Sequence, residues 1–165
     1  MPLVDNNVQD IDLSVTRKKT FRIDGDDSRI LALNTSDMGI FARLKEKYPK
    51  LRKLSQQAAV SLEDVEAKED QDVTDEDTSI PALDALAKLS DIDKQMRQEL
   101  DYIFDAPVSE VCAPEGTLYD PFNGKLRFEH IIDVLTGLYE NNLNAEFNAM
   151  VANVQKHTSK YIKKK

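Results

Sequence analysis

Tryptophan is absent from this 165-residue chain and aromatics make up only 7% of it, so few large anchors are available for a core. Cysteine occurs once, at Cys112, which excludes an internal disulfide and fits a reducing compartment. No apolar run approaches the length of about 18 residues that a membrane span needs. The N-terminus, Met1-Pro2-Leu3-Val4-Asp5-Asn6-Asn7, has no basic stretch leading into an apolar one, so no secretory signal is expected. These absences point to a cytosol.

What is present is charge, unevenly placed. The net charge is -8. Nine acids between Glu63 and Asp77 face one base, Lys68, so that segment alone accounts for it. Arg43, Lys45, Lys47, Lys50, Arg52 and Lys53 form a basic block, and the chain ends Lys163-Lys164-Lys165. Such segregation favours head-to-tail or intramolecular pairing, within a screened reach of about 10 Å.

The stretch 20–54 organises the rest. Thr20-Phe21-Arg22-Ile23 and Arg29-Ile30-Leu31-Ala32-Leu33 predict an antiparallel hairpin, with Asp24-Gly25-Asp26-Asp27-Ser28 as a five-residue turn. Asn34-Thr35-Ser36-Asp37 offers capping residues, and a helical pattern starts near Ser36. Its apolar positions are Ile40, Phe41, Leu44, Tyr48, Leu51, Leu54, Ala58, Leu62 and Val65. Pro49 clashes with the carbonyl of Lys45, so the helix is expected to kink or, on the preferred reading, to break at Tyr48.

Residues 1–10 are polar and aperiodic, as in a disordered terminus, and 11–68 make the hairpin-plus-helix unit. Ile11-Asp12-Leu13-Ser14-Val15 alternates like a third short strand. An acidic linker is expected at 69–79. The segment 80–165 is helical, with Leu83, Leu86, Leu89, Ile92, Met96, Leu100 and Ile103 forming one stripe. A packed loop follows at 105–125, with one helical turn over Ser109–Cys112. A last helix runs from Phe128 to about His157 before a basic tail. The expected fold class is therefore mainly α with a small N-terminal antiparallel β-hairpin, bundle-like in its packing, from helices at 36–67, 80–104 and 127–157. Stripes this long on a chain poor in aromatics often complete their core in a homo-oligomer.

No constellation carries a reaction. Asp24 to Thr35 fails as a calcium loop, because Arg29 and Thr35 stand where a glycine and a bidentate acid are required. Asp75-Glu76-Asp77 has acids without preorganisation. Gly124-Lys125-Leu126 lacks the flanking residues of a phosphate loop. Cys112 and His130 are the one conceivable nucleophile and base, but no signature surrounds them, and a half-buried structural cysteine accounts for the first. The two histidines, His130 and His157, have no metal-ligand spacing. With a pI near 4.8 and no stacking aromatics among its bases, the chain is not expected to bind nucleic acid. No cofactor, metal, membrane or small-molecule substrate is expected.

Thr20-Phe21-Arg22-Ile23-Asp24-Gly25-Asp26-Asp27, then Leu33-Asn34-Thr35-Ser36-Asp37-Met38-Gly39-Ile40, then Arg43-Leu44 and Tyr48-Pro49-Lys50-Leu51, carry a resemblance. The chain resembles tail-assembly-chaperone-like proteins from the tail-morphogenesis region of long-tailed bacteriophages of Gram-positive hosts. A weaker echo lies at Tyr102-Ile103-Phe104-Asp105 and Tyr119-Asp120-Pro121-Phe122. The resemblance implies a non-enzymatic, self-associating binder of the phage tape-measure protein in the host cytoplasm. It brings no catalytic residue. It also implies a longer product made by ribosomal slippage, for which a run of lysine codons at the end would serve, although a solvated tail accounts for those lysines as well. Partner contacts are expected at Phe21, Ile23, Ile30, Phe41, Leu44, Arg43, Lys47 and Leu51. The rival reading is a phage-encoded regulator that binds a host defence or signalling protein through the same helices and hairpin edge.

Overall fold

The computed structural model describes residues 8–11, 13, 18–71 and 79–162, with the backbone alone at 67–71, 79–82 and 154–162. Asp24 and Gly25 both take positive φ, 53° and 70°, which is the geometry of a two-residue hairpin turn. Strand β1 (Lys19–Ile23) therefore turns directly into β2 (Asp26–Leu33). The expected five-residue turn is corrected. What the sequence offers as a longer turn is a bulge instead. The pairing moves from Arg22↔Ile30 to Ile23↔Asp26, leaving Asp27, Ser28 and Arg29 without partners in register. Asp26 stabilises that bulge by accepting bonds from the amide and hydroxyl of Ser28, at 2.9 and 2.7 Å.

Asn34 and Asp37 act as expected at the helix entry, although the helix starts later than Ser36. The Asn34 side chain accepts from the Ser36 amide, and the Asp37 carboxylate accepts from the Gly39 amide at 2.9 Å. Helix α1 (Gly39–Gln71) then runs unbroken through Pro49, so the expected break at Tyr48 does not occur. Leu51, Leu54, Ala58 and Val65 are buried beyond Pro49, and Ile40 before it. That continuous apolar face outweighs the loss of one helical hydrogen bond. α2 (Ser79–Phe104) returns antiparallel to α1. Its buried register runs through Ala85, Leu89, Ile92, Met96, Leu100 and Ile103, whereas Leu83 and Leu86 of the expected stripe are exposed.

The connection after α2 contains α3 (Val108–Cys112) and a ribbon of β3 (Pro121–Phe122) with β4 (Lys125–Leu126), closed at Asn123-Gly124. Helix α4 (Arg127–Ile162) follows without a gap. Phe128, Ile131, Ile132, Leu135 and Tyr139 bury its first half, with Tyr48 against Phe128 and Phe104 against Tyr139 at ring separations of 6.2 and 6.1 Å. The core is shared by β2, all four helices of the described residues and Leu118 of the connection. Mainly α with a small β part is the class observed.

Two arginines from two elements hold the connection, and a third, Arg43, holds the end of α2 that leads into it. Arg97 of α2 donates to the carbonyls of Ser109, Ala113 and Gly116 at 3.0, 2.8 and 2.9 Å, and to Asp93 at 2.8 Å. Asp93 in turn accepts from the Leu118 amide. Arg29 of the bulge donates to the carbonyls of Val111 and Cys112. Arg43 of α1 donates to the carbonyl of Ile103. Asp101 accepts from both the amide and the hydroxyl of Ser109, a nearly buried residue. Most of the linker expected at 69–79 lies outside the described residues. So do the terminus at 1–7, the final lysines and much of the expected third strand; Ile11 and Leu13 are described, exposed and outside the sheet.

Two outcomes are expected. Arg97→Ala should cost about 3 kcal/mol in urea denaturation, because three carbonyls and Asp93 lose a charged donor together. Pro49→Ala should raise stability by about 2 kcal/mol: mid-helix proline costs about 3, offset in part by the freer unfolded chain.

Candidate functional site: the α1–α4 groove and the hairpin cleft

Spacings of three and four put Phe41, Leu44 and Tyr48 on the edge of α1 that faces α4. There they line an open groove of about 450 Å³ with Pro49, Ile132 and Thr136, with Lys45 and Asp133 at its rim. Phe41, Leu44 and Tyr48 are half-buried and packed on the core, so each presents one side to the groove. Thr136 donates its hydroxyl to the carbonyl of Ile132 in its own helix, at 2.7 Å, and so brings no unmet donor to the groove. Asp133 pairs with Lys125. Burial, reinforced by the nearby Glu129 charge, pushes the Tyr48 phenol above its ordinary value and keeps it neutral. The walls can accept apolar side chains from a peptide or helix, while the two rim charges can fix its direction.

The eight residues expected to touch a partner do not form one surface. Phe41 and Leu44 share the groove just described. Arg43 and Lys47 lie toward α2 and are held there. Arg43 pairs with Asp37 at 2.6 Å, and Lys47 pairs with Glu99 at 3.3 Å and lies 5.1 Å from the centre of the Tyr102 ring. Lys50 joins Glu99 at 2.5 Å. Leu51 has no exposed surface at all, so in this fold it cannot reach a partner; it belongs to the α1–α2 core. Phe21 and Ile23 are on the hairpin face that carries Leu31 and Leu33, half-buried against the core. Ile30 pairs with Arg22 on the opposite face and is 45% exposed.

Ile23 lines a second cleft, of about 310 Å³, between the hairpin turn and the start of α4. Cys112, Phe122, Arg127 and His130 also line it. The fold thus brings the two reactive side chains of the sequence into one cleft, which chain distance alone did not suggest. Burial pushes the Cys112 thiol up to about 11, with the Arg29 guanidinium opposing it too weakly to matter. A thiol held that high stays protonated near neutral pH and is a poor nucleophile. The His130 ring lies against Phe122, centres 4.7 Å apart, and among the described residues no hydrogen bond joins it to Cys112. No group of three His, Cys, Asp or Glu among the described residues is placed to hold a metal ion. No helix among them is long and apolar enough to cross a membrane.

The residues that position both grooves were not conspicuous in the sequence. Arg29, Asp93 and Arg97 hold the connection that carries Cys112 and leads to α4. Asn142 and Glu146 fasten the far side. Lys19 donates to the Asn142 side-chain carbonyl at 2.8 Å, Asn142 donates to the Thr35 carbonyl, and Ser36 donates to Glu146 at 3.0 Å.

The paired carboxylates set an acid limit. The Arg43 hydrogen bond holds Asp37 below its ordinary 3.8. Burial would raise Glu99, but hydrogen bonds from Lys50 and Lys47 win and hold it below 4.5. A carboxylate whose pKa is lower in the folded chain stabilises the fold above its unfolded value, and the contribution is lost as pH falls through the folded value. Thermal stability should therefore drop once pH falls below 4.5 and 3.8, and Glu99→Gln should lower it at pH 7 while flattening that acid drop.

No family model matches the chain, and no curated protein or solved structure is significantly similar to it.

Proposed function

We propose that the chain is a non-enzymatic phage tail-assembly chaperone, which binds helical segments of the tape-measure protein in the host cytoplasm and keeps them soluble. The observation that carries this reading is the α1–α4 groove. Phe41, Leu44, Tyr48 and Ile132 give it apolar walls, and its rim holds a lysine and an aspartate. An amphipathic helix that sets residues at i, i+3 and i+4 into such a groove needs no catalytic group from its host. The residues behind the resemblance support it. The hairpin from Thr20, the turn at Asn34–Asp37 and the first half of α1 are contiguous, and this unit supplies one wall of the groove. The neutral Cys112 thiol in the neighbouring cleft also suits binding better than covalent chemistry.

The test is co-expression with a phage tape-measure protein. Its soluble fraction should rise several-fold and the two should co-purify. Phe41→Glu should abolish both effects. Lys45→Glu, on the exposed rim, should weaken capture without touching the core, which separates lost binding from lost folding. If the tape-measure protein is no more soluble and does not co-purify, the chaperone reading fails and a regulator of a host protein takes its place.

A further inference from the structure

Helix α4 outlasts the core that built it. Tyr139 is its last buried residue among the described side chains, which reach residue 153, yet the helix continues to Ile162. Residues 144–150 are all exposed, including Phe147 at 59% and Met150 at 56%. Beyond Leu143 the four-and-three alternation that Phe128, Ile132, Leu135 and Tyr139 already show continues onto the uncovered part of the helix. Leu143, Phe147, Met150, Val154, His157 and Tyr161 alternate by four and three, which is the 3.5-residue period of a two-helix seam. This seam spans about 28 Å at 1.5 Å per residue.

The flanking charges indicate what covers it. Glu146 stands immediately before Phe147 in the seam, and Lys160 immediately before Tyr161. Two copies of this helix laid antiparallel match Leu143 with Tyr161, Phe147 with His157 and Met150 with Val154 across the pair. The same register puts Glu146 opposite Lys160 at both ends, with Asn153 opposite its own copy at the middle. A parallel pair would instead align Lys156, Lys160 and the terminal lysines of both chains, and it would set no opposite charges across the seam. Glu146 is already oriented by the body: the Ser36 hydroxyl and the Asn142 amide both donate to Oε1, and among the described residues no group donates to Oε2.

We infer that two copies of this chain dimerise through the second half of α4, antiparallel and in that register. The partner on this face is a second copy, and the inference does not depend on the client reading, because the chain alone is sufficient to test it. The purified full-length chain should sediment as a concentration-dependent monomer–dimer system. Phe147→Asp should weaken the dimer more than tenfold while leaving the thermal midpoint of the body in place, since Phe147 lies outside the core. Glu146→Lys and Lys160→Glu should each weaken it, and the double exchange should restore it. In a Cys112→Ser background, Asn153→Cys should cross-link to its own copy with a short bismaleimide, whereas Lys160→Cys should cross-link only when mixed with Glu146→Cys. A chain that remains monomeric at hundreds of micromolar overturns the inference. So does a dimer indifferent to Phe147→Asp, or self-cross-linking of Lys160→Cys, which would mean a parallel pair.

Discussion

Arg97 holds together a part of the chain that cannot hold itself. Between Phe104 and Arg127 the backbone makes one short helix and a ribbon two residues long on each side, too little regular structure to satisfy its own carbonyls. Arg97 takes three of them and is kept in position by Asp93, which also receives the Leu118 amide. A guanidinium suits this task because its donors are fixed in a plane and its charge is permanent across ordinary pH. Arg29 repeats the device from the hairpin, and Arg43 of α1 holds the carbonyl of Ile103 at the end of α2. The connection is thereby bound to α2 and to the hairpin at once. Its far end sets the direction in which α4 begins, and so the existence of a groove between α4 and α1.

The second constraint is core mass. With no tryptophan, the chain buries its first-half α4 residues against two aromatic contacts, Tyr48 with Phe128 and Phe104 with Tyr139, and has little left beyond them. The distal halves of α1 and α2 meet that shortage differently from α4. They pair with each other and bury small residues, Ala58 and Ala85, together with Val65, Leu89 and Ile92. Val60, Leu83 and Leu86 stay exposed on that two-helix arm. The acids Glu63, Asp64 and Glu66 share its surface, which keeps an arm with so much apolar exposure in water.

The legible parts were those set by period and by local turn chemistry. The three long helices, the short turn of helix before Cys112 and the hairpin all follow from spacing and capping. The failures have particular causes. Pro49 is a strong local signal, but Leu51, Leu54 and Ala58 continue the buried face beyond it, and tertiary burial prevails over one clash. Asp24-Gly25 is itself a two-residue turn signal, and Asn123-Gly124 is a second one; charged or proline-rich neighbours mask both by suggesting longer loops. The α2 register shifts to Ala85 because a small residue suits a close helix pair better than Leu83 or Leu86. Half of the groove was anticipated in Phe41 and Leu44. Its α4 wall was not, since nothing in a single chain says which face of a helix begun at residue 127 will meet α1. The arginine network was invisible for the same reason: its acceptors are backbone carbonyls, which carry no letter in the sequence.

The clasp at Asn142 and Glu146 has a temporal meaning. The Arg97 ties are short in sequence, reaching carbonyls between 12 and 19 residues away, while those of Arg43 and Arg29 span 60 and 82 to 83. Lys19 and Thr35, by contrast, meet Asn142 across 123 and 107 residues. Closing a long loop costs entropy that nothing recovers until its ends are in place. Contact distance therefore favours forming the α1–α2 pair and the Arg97-bound part of the connection before the N-terminal strands dock. During synthesis the hairpin emerges well before α4 and waits, with Phe21, Leu31 and Leu33 uncovered, for the helix that will close over it.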